Sequence, residues 1–228
     1  GERVIRWGEF TRRTNNLARA LRARGAGADD KIAFYLRNHP AYMEGVSAAF
    51  KARLVHVNVN YRYVDEELHY ILDNSDAKVV VYGAEFAEHV RQLKDRLPKV
   101  AVWVEVTEDG SPAVAGALDH EALCETGDGA PLGIERSGDD LLLLYTGGTT
   151  GMPKGVMWRQ DDHWHAGSAG ATPATDMVPP ASLADHVENV RRAGGGGRLL
   201  PCCPQMHGTG LFTSIGALAA GGSVVTLE

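Results

Sequence analysis

Asp140-Leu-Leu-Leu-Leu-Tyr-Thr-Gly-Gly-Thr-Thr-Gly-Met-Pro-Lys-Gly155 joins an apolar run to a stretch of glycines and threonines. Leu141 to Tyr145 has the length of a buried strand. Thr146 to Gly155 then breaks the apolar pattern. The spacing predicts a strand over 140–145 with a loop at its carboxyl end, which is where α/β sheets bind ligands.

The segments upstream alternate helix and strand, which favours an α/β layered sheet flanked by helices over a sandwich or a bundle. Trp7 to Arg24 reads as a helix with Phe10, Leu17, Ala18 and Leu21 on one face and arginines on the other, ending at Gly25. Lys31–Leu36 reads as a strand, and Asn38 is placed to cap a helix starting near Pro40. Val55–Val59 alternates with period two, and Asp65–Leu72 is a short helix with acidic residues in its first turn. Lys78–Tyr82 is a β-branched run suited to a strand covered on both faces. A helix over 85–97 and a strand over 100–106 follow. Residues 107–138 are turn-rich and read as a surface connection with one short helical pattern, 118–125. A second irregular stretch, 172–198, holds a helix over 182–192 and the glycines 194–197. A strand at Leu199, a helix over 210–219 and a strand over 223–227 close the pattern.

Composition narrows the function classes. Hydrophobic residues are 44% and charged residues 23%, ordinary for a packed domain. A net charge of −6 gives no basic footprint for a nucleic-acid partner. No apolar run has the roughly 18 to 20 residues a membrane span needs. The opening residues show no secretory pattern, and three cysteines, two of them adjacent, make no disulfide framework. A cytoplasmic setting is expected.

The chemistry suited to Thr146–Gly155 is holding a polyphosphate. Glycines let backbone N–H groups approach an anion and reach φ > 0, threonine hydroxyls donate, and Lys154 offers a point charge. The spacing is not that of a Walker A loop, because Met152 and Pro153 stand where glycine and lysine belong. It also fails the dinucleotide-binding fingerprint.

Tyr145-Thr-Gly-Gly-Thr-Thr-Gly-Met-Pro-Lys-Gly155 resembles the signature of the AMP-binding, or acyl-adenylate-forming, family, with Gly147 where serine is commonest. The resemblance implies the N-terminal part of that fold over residues 1–228. It further implies an acyl-CoA synthetase that makes an acyl-AMP from ATP, with Mg²⁺, and passes the acyl group to coenzyme A. Thr146, Gly147, Gly148, Thr149, Thr150, Gly151 and Lys154 would hold the nucleotide, with Lys154 also catalytic. Val57-Asn-Val-Asn-Tyr-Arg-Tyr63 followed by Glu66–Leu72 is similar to acyl-CoA synthetases, with Val59 in place of a proline. Asn58, Asn60 and Arg62 read as structural turn residues. Pro204-Gln-Met-His-Gly-Thr-Gly210 resembles the next family motif, which would put a catalytic His207 near the acyl and adenylate pocket.

The resemblance to fatty-acyl-CoA synthetases favours a fatty acid over an aryl or amino acid. A stand-alone nucleotide-binding module is the rival from another class, and a homodimer is left open. The family's downstream adenine and ribose motifs and its small C-terminal domain fall outside these residues, so the chain alone is expected not to turn over. Asp161-Asp-His-Trp-His165 has a chelating look, but the aspartates more simply begin and cap the following helix, and no metal site is expected.

Overall fold

The structure, a computed structural model, describes residues 3–148, 151–171 and 176–227. Strands β1 (Lys31–Tyr35), β2 (Val55–Asn58), β3 (Ala77–Gly83), β4 (Val102–Val106), β5 (Leu118–Asp119), β6 (Leu141–Gly148) and β7 (Gly151–Arg159) form one sheet in the order β5-β4-β3-β1-β2-β6-β7. All pairs are parallel except β6 with β7. Side-chain alternation divides the core into two layers. Ile32, Phe34, Val79 and Val81 face helices α1 (Trp7–Ala23), α2 (Pro40–Ala52), α5 (His120–Glu125) and α8 (Gly208–Ala219). Ala33, Tyr35, Val80 and Tyr82 face α3 (Asp65–Asn74) and α4 (Ala87–Leu93). The expected α/β layered architecture is therefore present, with helices on both faces as a parallel sheet requires. A small parallel pair, β8 (Arg198–Leu199) and β9 (Ser223–Val224), is joined by α8; helices α6 (Gln160–Ala166) and α7 (Leu183–Arg192) lie before it.

Several sequence expectations are corrected. Helix α1 ends as expected at Gly25, which has φ +88° and lets Ala26 N–H reach back to the Leu21 carbonyl. Its arginines are not all on a solvated face: Arg13 is fully buried. The cap of α2 is His39, whose Nδ1 accepts from Ala41 N–H; Asn38 instead accepts from Gln205 N–H. The expected helix over 85–97 is the shorter α4 between two 3₁₀ turns. The supposed surface connection contributes β5 to the sheet and buries Leu123 and Cys124 of α5. Its first part folds over a buried carboxylate: Glu105 accepts from Ala113 N–H, Val114 N–H and the Tyr82 hydroxyl. The aspartates at 161 and 162 lie in the first turn of α6 without capping it through a side chain.

The polar residues of β2 are also inside. His56 is fully buried, stacked on Phe34, with Nδ1 3.3 Å from the Leu143 carbonyl and Nε2 3.2 Å from the Tyr42 hydroxyl. A carbonyl only accepts, so Nδ1 carries the proton, and Nε2 of the neutral ring accepts from Tyr42. Burial lowers the His56 pKa to about 4. The unfolded chain therefore binds more protons below the ordinary value of about 6.5, and stability falls as pH drops from there toward 4. Unfolding midpoints should show His56 costing about 2 kcal/mol at pH 5 relative to pH 7.5. The same comparison in His56→Leu should lose that share of the pH slope; an unchanged slope would remove His56 as its source.

Candidate functional site

The glycine-threonine segment is not a free loop. Strand β6 continues through Thr146 and Gly147 to Gly148, and β7 pairs back on it, with Thr146 opposite Lys154 and Tyr145 opposite Gly155. Thr149 and Thr150 lie outside the described residues. Pairing persists because Tyr145 packs inward across Gly155: a Cβ there would sit 2.9 Å from the tyrosine ring. Helix α3 braces both strands. Asn74 Oδ1 accepts from the Tyr145 hydroxyl at 2.8 Å, and the Tyr70 hydroxyl donates to the Pro153 carbonyl at 3.2 Å.

The glycines serve this hairpin differently from the sequence expectation. Neither Gly147 nor Gly151 adopts positive φ, and a Cβ on either would meet no atom within 4 Å. Their contribution is open space along the hairpin rather than a left-handed turn. Thr146 and Lys154 are exposed, and Lys154 has no ion-pair partner among the described residues.

A cavity of about 280 Å³ opens at the carboxyl ends of β2 and β6. Asn58, Asn60, Tyr63, Leu144, Tyr145, Thr146, Gly147, Met206, His207 and Gly208 line it. The structure thus brings Thr146 and Gly147 together with His207; Gly151 and Lys154 stand on the adjoining strand and do not line this cavity. His207 occupies the N-cap position of α8, its side chain exposed and not used for capping. The turn before it is held by three bonds. Asn38 Oδ1 accepts from Gln205 N–H, Asn58 Nδ2 donates to the Met206 carbonyl, and Tyr61 N–H points at the Met206 sulfur.

Asn58, read from the sequence as a structural turn residue, instead is buried and lines the cavity. The available signal was an amide among the valines of a β-run. Asn60 does behave as a turn residue, accepting from Arg62 N–H at 2.9 Å, and the Arg62 guanidinium lies over the Tyr61 ring. His163 packs on the Phe212 ring at 4.2 Å, while His165 lies 3.6 Å from Asp161.

A larger cavity, about 440 Å³, shares no lining residue with the first and includes Arg3, His39, Glu44, His120 and Glu121. Ligand atoms of two of its lining residues, Glu44 and His120, and of the buried Cys124 come within 4.8 Å of one another. Glu44 is already held by both Nε and Nη2 of buried Arg13, so its charge is spent on a cation of the chain itself. Burial raises the Cys124 thiol pKa, leaving it protonated.

Comparison with known proteins gives the family and the fold. The model of the family described as AMP-binding enzyme matches residues 1–228. The medium-chain acyl-CoA ligase Mig of Mycobacterium avium is 34% identical over 99% of this chain and 43% of its own length. The 3-oxocholest-4-en-26-oate–CoA ligase of Rhodococcus rhodochrous is likewise 34% identical, over 98% of this chain and 40% of its own. The chain therefore spans about two fifths of these relatives. Among solved structures, acetoacetyl-CoA synthetase from Streptomyces lividans superposes with a TM-score of 0.79 at 21% identity, covering 98% of this chain and 33% of that one. Apo MatB from Rhodopseudomonas palustris gives 0.75 at 23% identity, covering 100% and 40%. These two share the fold. With its family matched along all 228 residues and two relatives above 30% identity, the chain belongs to the AMP-binding enzyme family.

Proposed function

We propose that these residues are the N-terminal portion of the AMP-binding domain of an ATP-dependent acyl-CoA synthetase acting on a medium- or long-chain fatty acid. The observation carrying this reading is that Thr146, Gly147 and His207, from two motifs 60 residues apart, line one cavity beside the strand bearing Lys154. The two named ligase relatives support the choice of an acid–thiol ligase.

In the proposed reaction a carboxylate oxygen attacks the α-phosphorus of ATP and pyrophosphate leaves. The coenzyme A thiol then attacks the acyl carbon of the adenylate and AMP leaves. The first step needs little covalent help; positioning and neutralisation of phosphate charge dominate. The Thr146 hydroxyl, the backbone N–H groups of Gly147, Gly148 and Gly151, and the Lys154 ammonium form a donor set suited to a triphosphate. Thr149 and Thr150 belong to the same proposed set. His207, at the N-cap of α8, would orient the carboxylate or admit the thiol. Bound Mg²⁺ would screen the phosphate charge. No carboxylate is found among the described residues lining the cavity, so these residues fit the nucleotide rather than the metal, and no step is assigned through it.

The test is pyrophosphate release by the whole protein across straight-chain acids of graded length, with aryl and amino acids alongside. Release should rise with chain length into the medium or long range. A flat response, or release only with aryl or amino acids, would overturn the fatty-acyl assignment.

A further inference from the structure

Asn58 is the last residue of β2 and is almost fully buried, at 4% exposure. Its Oδ1 accepts from Tyr145 N–H at 2.6 Å, and its Nδ2 donates to the Tyr145 carbonyl at 3.0 Å and to the Met206 carbonyl at 2.8 Å. Both amide hydrogens and the amide oxygen are thus engaged. The partners lie 87 and 148 residues away in the chain, unlike those of a turn asparagine such as Asn60, which bonds Arg62 two residues on. The β2–β6 ladder pairs His56 with Leu142 and Val57 with Leu143 and then stops. Beyond it, the Asn58 side chain takes over the pairing with β6 and adds a third element.

That third element is the turn leading into α8. The Met206 carbonyl belongs to the peptide joining Met206 to His207, so moving that peptide moves the His207 backbone nitrogen directly. Tyr145 immediately precedes Thr146 on the other side. One buried amide therefore fixes the distance between the strand that starts the phosphate-holding hairpin and the turn that presents His207, and all of these residues line the same cavity. Few other side chains can do this. Aspartate has no N–H and would set a carboxylate against two carbonyl oxygens, and serine is too short to bond three groups at once. We propose that Asn58 is a positioning residue that holds His207 in register with the hairpin for adenylate formation. This rests on the acyl-adenylating function proposed above.

A double-mutant cycle in the whole protein tests it, using acid-dependent pyrophosphate release by the parent, Asn58→Ala, His207→Ala and the double variant. Asn58→Ala should lower kcat by roughly ten- to a hundredfold while KM for ATP moves less than about threefold, as expected for misplacement of a reacting-site group. In the His207→Ala background the same change should cost less than about threefold, because the residue being placed is already gone. If Asn58→Ala does not fold, Asn58→Ser carries the same cycle. An active parent in which the two costs multiply independently, or in which folded Asn58 variants keep the parent kcat, overturns the positioning role and leaves the adenylating function standing. A parent that releases no pyrophosphate with any acid overturns that function, and the positioning role falls with it.

Discussion

Replacing Lys154 by alanine in the whole protein should slow acid-dependent pyrophosphate release by roughly a hundredfold or more, the usual loss when one preorganised donor to a developing charge is removed. The side chain is exposed on β7, opposite Thr146, and pairs with no carboxylate among the described residues. It therefore contributes little to folding, and a surface change of this kind should move stability by no more than about 0.5 kcal/mol. The prediction is a separation: chemistry lost, unfolding midpoint kept. Lys154→Arg should recover only part of the rate, because a guanidinium fork is not a compact point charge. A Lys154→Ala enzyme within about threefold of the parent rate would remove this residue from the proposed phosphate-holding set.

The second large effect concerns stability. Arg13 is fully buried on α1 and bonds three carboxylates: Glu44 of α2, and Glu121 and Glu125 of α5. Burial opposes its charge, yet the hydrogen bonds it donates to Glu121 and Glu44 outweigh that and raise its pKa. In return the Arg13 guanidinium, helped by Arg3, lowers the Glu121 carboxyl to about 2. Removing the arginine strands Glu44, which is 2% exposed, without a counter-charge. Arg13→Ala should cost about 3–5 kcal/mol in denaturant unfolding, the range for breaking a buried pair. Arg13→Met combined with Glu44→Leu should recover much of it, since an apolar pair of similar volume needs no counter-charge. A single variant losing less than about 1 kcal/mol would show that solvent reaches Glu44 freely.

The parts of the fold legible in the sequence are those where one strong signal had no competitor. The run Lys78–Tyr82 became a strand covered on both faces, because every residue in it suits an extended, buried backbone. Gly25 ended its helix for the reason that makes glycine common there, a positive φ. The hairpin was harder. Glycine and threonine suggested a loop, but β-branched Thr146 tolerates a strand, and the pairing is secured by Tyr145 lying over Gly155, ten positions away. Arg13 was misplaced for a related reason: helical periodicity puts arginine on the wet face unless distant acids come to meet it, and Glu121 and Glu125 arrive from more than 100 residues away. Family resemblance gave Thr146, Gly147 and His207 a role, but it left Asn58 as a turn residue, because its bonding depends entirely on long-range partners.

The measurement that bears most directly on the proposed chemistry is an oxygen-isotope transfer with the whole protein. A fatty acid labelled with ¹⁸O in its carboxylate is turned over with ATP, Mg²⁺ and coenzyme A, and the nucleotide product is weighed by mass spectrometry. If the carboxylate attacks the α-phosphorus and the thiol later cleaves the acyl C–O bond, each AMP carries one labelled oxygen. AMP without label, or label found only in inorganic phosphate alongside ADP, would contradict formation of an acyl-adenylate at this site.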